Sequence, residues 1–268
     1  MHKLLKFTSI GVILSVLLTA CAMPSSTTAS ETTATQSQET QEPGTAAPPT
    51  IDEVLSLCPA AADIAAVDAD LTLIFEADPT AGTLVCSSAE GSSDLTRLQE
   101  RAYQAILMMK QFQFNQPLPW TGLPLYDWFV QAIDGIRFRS DIDLSFCCDP
   151  ENYINIQTNN LAALSTSYWI DSRSGAGLQG LTLLYVHEAR HNEIGGHTCG
   201  NQDNTVNELG AWGVQVSLLD WMAAHSDPTF LTTSDPNALA YSTTYYIDMI
   251  QGEADWTRAN FFCQESNP

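Results

Sequence analysis

Apolar positions along the chain fall into a few readable runs. Leu181-Thr-Leu-Leu-Tyr-Val186 is apolar on nearly every side, and such a stretch forms a helix that is buried all round. This helix is predicted to begin near Leu178, after a turn over 172–177. Leu98, Ala102, Ile106 and Met109 recur near helical spacing, with Ser93 or Asp94 at the N-cap position. A third helix is predicted from 203–205 to about Ala224, apolar through Trp212, Val216, Leu219 and Met222. A last one opens at Asp235-Pro236 and runs through Tyr241, Tyr245 and Met249. Residues 51–57 read as a short helix. Residues 71–75, 135–139 and 153–156 read as short strands, the last two by alternation. Together these elements predict an α+β domain, mostly helical, with two buried helices at its centre.

The N-terminus reads as a targeting segment. Lys3 and Lys6 precede a short apolar core, Ile10 to Leu18, which is short for a membrane span. It ends in Leu18-Thr19-Ala20-Cys21, which resembles a bacterial lipobox. That resemblance implies a signal peptide over 1–20, lipidation of Cys21 and a tether to a membrane surface, with an exported, extracytoplasmic location in the cell envelope. Ser, Thr, Gln, Glu and Pro dominate from 22 to about 50, so 21–50 is predicted to be a disordered tether. The remaining 51–268 has the size of one domain.

Charge excludes one class of partner. Without Lys3 and Lys6 the balance is 8 Lys and Arg against 31 Asp and Glu. A surface so acidic repels nucleic acid and anionic lipid. Setting Cys21 aside leaves Cys58, Cys86, Cys147, Cys148, Cys199 and Cys263, an even set that in an exported protein suggests three disulfides. Proximity suggests Cys58–Cys86, with the adjacent Cys147 and Cys148 then pairing to Cys199 and Cys263. A bridge at Cys199 would pin the loop carrying His197.

The apolar helix runs into His187-Glu188-Ala189-Arg190-His191, an H-E-x-x-H sequence. Residues four apart share a helix face, so His187 and His191 project together. Two imidazoles so placed can bind one Zn²⁺, and Glu188 lies beside it, able to take a proton from a zinc-bound water. Buried imidazoles and a buried carboxylate need partners, and a metal supplies one. Arg190 is expected to face outward or to support the site from behind its ligands, pairing with a nearby acid.

HEARH resembles the active-site helix of the zincin metallopeptidases. His197 stands at the offset of the third histidine of their metzincin branch. The metzincin glycine offset holds Ile194, with glycines at Gly195 and Gly196 instead, and no Met-turn is recognisable. The resemblance spans 187–197. It implies a zincin-like domain, Zn²⁺ held by His187, His191 and His197, and Glu188 as catalytic base. It also implies a peptide or protein substrate along an edge strand, for which Tyr168-Trp-Ile-Asp171 and 153–156 are candidates. Glu208 is the alternative third ligand, since Asn207-Glu208 resembles the gluzincin arrangement; Asp203 is a further one. Thr205-Val-Asn-Glu208 also reads as a capping box that needs no metal. If the small residues Gly210, Gly213 and Ser217 let this helix approach the HEARH helix, Glu208 points away.

Two functions of different class fit these residues. One is a lipid-anchored zinc hydrolase, a metallopeptidase. The other is a non-catalytic, zinc-stabilised binding or structural lipoprotein. A site with three protein ligands and a retained Glu188 favours the enzyme, because structural zinc sites usually close with four.

Overall fold

Three parallel strands run side by side. In the computed structural model, which describes residues 50–56, 58–76, 94–111, 118–158, 180–232 and 244–264, β1 (Thr72–Phe75) pairs with β2 (Gly135–Arg139) and β2 with β3 (Tyr153–Gln157). The register sets Phe75 beside Phe138, and the rings stack with centroids 4.7 Å apart. Ile136 faces Ile154 and Phe138 faces Ile156, all buried. These residues are β-branched or aromatic, which suits a pleated surface covered by helices. The segment 1–49, Tyr168 to Asp171 and the Asp235-Pro236 helix start lie outside the described residues.

Seven helices surround the strands among the described residues: α1 (Ile51–Ser56), α2 (Ala61–Asp70), α3 (Asp94–Gln111), α4 (Leu125–Ala132), α5 (Leu181–Ile194), α6 (Ala211–His225) and α7 (Tyr245–Asn260). The protein is thus mixed in helix and strand and mostly helical. No described helix is long and apolar enough to cross a membrane.

The centre is α5. Its apolar residues reach round the helix because neighbours enclose it. Thr182 Oγ1 donates to Ala105 O of α3 at 3.2 Å. Asn192 Nδ2 donates to Ala132 O of α4 at 2.6 Å, and Trp128 Nε1 donates to Glu193 Oε1 at 2.8 Å. Gln215 Nε2 of α6 donates to Leu183 O at 3.0 Å. Leu183, Tyr185, Val186 and Ala189 are buried within this frame. Each large one contributes about 1.5–3 kcal/mol by leaving water.

Three expectations are corrected. The helix predicted from 203–205 starts instead at Ala211, after a 3₁₀ turn over Val206–Glu208 and Leu209 in the left-handed region. Gly210 just ahead of this helix and Gly213 in its first turn serve the 3₁₀ turn. A Cβ on Gly213 would meet Val206 O at 2.9 Å, and one on Gly210 would meet Asp203 Oδ2 at 2.3 Å. They admit the folded-back 203–206 segment rather than α5. Cysteine pairing also differs. Backbone bonds from Cys263 N to Asp203 O and from Asp203 N to Phe261 O bring the C-terminal segment to the 199–204 loop. Cys199 is bridged to Cys263, with Cα atoms 6.5 Å apart, and Cys147 and Cys148 are bonded to each other. Cys58 is disulfide-bonded, and Cys86 lies outside the described residues. Finally, 153–156 is an edge strand of the sheet, but its outer edge is not free. Phe146 and Asn155 exchange backbone hydrogen bonds of 2.9 Å there.

Candidate metal centre

His187 and His191 lie one turn apart on α5, as their spacing requires. The helix ends at Gly195, whose φ of +76° is open to glycine and strained for other residues. The chain turns back there and carries His197 over the same face. Ligand atoms of His187, His191 and His197 all lie within 4.8 Å of one another.

The donor set fits a metal ion. A carbonyl or carboxylate can only accept, so the bonded nitrogen of each partner imidazole carries its proton. His191 Nδ1 donates to Gly195 O, and His197 Nδ1 donates to Asp203 Oδ1 at 3.0 Å. Both Nε2 atoms are thereby left as lone pairs. His187 Nε2 stands 3.2 Å from His191 Nε2. Imidazole nitrogens about 2.0–2.1 Å from a tetrahedral zinc stand about 3.3 Å apart, close to that spacing. Fixing the tautomer through the second ring nitrogen is how histidine ligands are usually held.

Asp203 is the hub of this arrangement. It is fully buried, and its Oδ2 accepts from Trp212 N at 2.9 Å and Gly213 N at 3.1 Å, two of the otherwise unpaired amides at the start of α6. Burial works against its charge, yet His197 and the amides outweigh it, and its pKa is lowered. Gly210 is required because any Cβ there would occupy the carboxylate's place. Sequence reasoning weighed Asp203 only as a ligand. Gly210 was the signal: the helix start has no capping side chain of its own, so a carboxylate from elsewhere serves it.

Burial sets the protonation of the rest. Desolvation, and then repulsion from His191 and His197, lowers the His187 pKa well below its ordinary value, with Gln215 opposing. His191 is also lowered, first by desolvation and then by His197, against Gly195 O and Asp203. Both are neutral at neutral pH, the form a metal needs. Glu188 is buried, and desolvation raises its pKa to about 7, with the Cys147 N–H opposing.

These groups open into a cleft of about 780 Å³ whose walls include Phe146, Leu184 and Trp212. Trp212 was read as a core residue. Its indole instead packs edge-on to His187 at 4.3 Å, lies nearly parallel to the His197 ring at 5.8 Å and stacks on Phe261 at 3.7 Å. Arg190 faces away, as expected, donating to Leu209 O at 2.9 Å and pairing with Glu193. Glu208 is not in the cluster: it is exposed, and its Oε2 accepts from Thr198 Oγ1 at 2.8 Å. Cys21 lies outside the described residues. Set against known protein families, curated proteins and solved structures, the chain matches none.

Proposed function

We propose that the chain is a zinc-dependent hydrolase, a metallopeptidase, with His187, His191 and His197 as the zinc ligands and Glu188 as the general base. One observation carries the reading. A buried carboxylate with a pKa near 7 shares a cleft with three converging imidazoles, two of them held neutral by burial. Bound zinc supplies a Lewis acid that lowers the pKa of a coordinated water and polarises a carbonyl. Glu188, steadied by the Cys147 N–H, accepts the proton of the attacking water at a carboxylate oxygen. It then returns a proton to the leaving amine. Asp203 holds the His197 tautomer, and Leu184 and Trp212 line the cleft beside the reacting groups. A zincin-like fold agrees with the buried α5, and the H-E-x-x-H resemblance is what favours peptide bonds. The lipobox-like 18–21 stretch and the Cys199–Cys263 bridge support an exported, lipid-anchored protein.

The test is Glu188→Gln. This change keeps the side chain's shape but removes the base, so peptide turnover should fall about 10²–10⁴-fold while zinc content and folding persist. Turnover of a mixed peptide library is measured with and without chelator. Wild type that holds zinc yet shows no chelator-sensitive cleavage would support the structural lipoprotein instead.

A further inference from the structure

Leu144 and Phe146 are 77% and 38% exposed, and both line the cleft. A lone exposed leucine needs no explanation. This pair differs in being held in place. Gln157 Nε2 donates to Asp143 O, and Gln157 N donates to Ser145 Oγ at 3.1 Å. Phe146 exchanges both backbone bonds with Asn155. Leu144 sits on a bend and Phe146 pairs with β3, and both line the cleft, so this anchored rim presents two apolar groups to it. Leu184 and Trp212 contribute the other apolar surface of the cleft.

The charge around them narrows what fits. The chain carries a net −21, yet among the described residues the only ionisable groups lining the cleft are Glu188 and the three imidazoles. Ser145, Gln157 and Asn201 are neutral. A charged side chain entering beside Leu144 would give up hydration without gaining a counter-ion. An apolar side chain would leave water and cover two exposed apolar groups as well.

We infer that Leu144 and Phe146 are specificity-determining residues that select a peptide carrying a bulky apolar side chain next to the bond cleaved, an inference that rests on the proposed hydrolase. Burying one side chain of leucine or phenylalanine size corresponds to about ten- to a hundredfold in affinity.

The experiment uses the full chain and two peptide hydroxamates, equal in length, with Leu or Asp beside the zinc-binding group. Binding is followed by calorimetry in wild type and in the double variant Leu144→Ser, Phe146→Ser. Zinc content and circular dichroism are recorded for both proteins. Wild type should prefer the Leu compound by about ten- to a hundredfold, and the double variant should lose that preference with zinc and fold unchanged. Zinc-loaded protein that binds both compounds equally, or a double variant that keeps the preference, overturns the inference and leaves the hydrolase standing. A protein that holds no zinc overturns both.

Discussion

Asp203→Asn separates the fold from the metal. The carboxylate serves two clients: Oδ1 accepts from His197 Nδ1 at 3.0 Å, while Oδ2 accepts from Trp212 N and Gly213 N. An asparagine keeps its oxygen on the two helix amides, because its NH₂ would otherwise meet them donor to donor. The NH₂ then faces His197 Nδ1, which must accept. The imidazole proton moves to Nε2, and the lone pair aimed at the cleft is lost. Disturbing the group that orients a metal-bound histidine typically lowers metal affinity about 10–100-fold, or roughly 1.4–2.7 kcal/mol. Zinc-free stability should fall by only about 1–2 kcal/mol, since one charge-assisted bond is weakened and none is left empty. Asp203→Ala is the wrong tool. It strands the buried Gly213 N–H and the part-buried Trp212 and His197 N–H groups, at up to about 3 kcal/mol each, which can approach the whole stability of a domain.

The assay is zinc titration against a competing chromophoric chelator, paired with urea unfolding of the zinc-free protein. Glu208→Gln is the control. Its carboxylate goes to Thr198, so zinc affinity should stay within about twofold, as for an ordinary surface change. Asp203→Asn with wild-type zinc affinity would refute the reasoning, and His197 would not be a ligand through Nε2. Loss of zinc in Glu208→Gln without unfolding would move the third ligand to Glu208.

Two further predictions concern stability. The double substitution Cys199→Ser, Cys263→Ser opens a bridge spanning 64 residues and should cost about 2–4 kcal/mol. It should also weaken zinc, because the bridge sits two residues beyond His197; unchanged affinity in the folded variant would show that the backbone bonds to Asp203 hold the loop unaided. Asp149 predicts a pH dependence. Burial opposes its charge, but the Tyr153 and Glu151 N–H groups, the Asn155 amide and Arg137 outweigh burial, so its pKa is lowered from 3.8. A depressed carboxylate stabilises the fold above the unfolded pKa and loses that contribution as pH falls through the folded value. Asp149→Asn should therefore cost about 1–3 kcal/mol at pH 7 and progressively less below about pH 4. A cost that does not vary between pH 7 and pH 3 in urea titrations would sink this account.

Local patterns made part of this legible. His187, Glu188 and His191 lie within five residues of one helix, so spacing alone puts them together. Strands β2 and β3 and helix α3 stood out because their apolar positions repeat at the period of their own backbone, and β1 through its run of β-forming residues. Helix α2 buries only Val67, which leaves almost no stripe to detect, and α4 is eight residues long, too short for periodicity to declare itself. The start of α6 was misplaced because Thr205-Val-Asn-Glu208 has the letters of a capping box. The actual cap comes from Asp203, folded back over Gly210. That contact spans about ten residues but depends on the 203–206 segment folding back, and the meeting of 199–204 with 261–264 is long-range, so no window of sequence contains it.

Burial of α5 gives the site its chemistry as well as its place. A low-dielectric surrounding disfavours charge of either sign. It lowers the His187 and His191 pKa values and raises that of Glu188. On an exposed helix the same H-E-x-x-H letters would hold a fully ionised carboxylate and imidazoles near half charge at mildly acid pH. Here one apolar environment keeps His187 and His191 neutral and raises the Glu188 pKa to about 7, while Gly195 O and Asp203 orient the lone pairs of His191 and His197. The all-round apolar run 181–186 therefore belongs to the functional signal. It decides the protonation of the motif that follows it, and a charged residue introduced at Val186 would disturb that protonation as well as the packing.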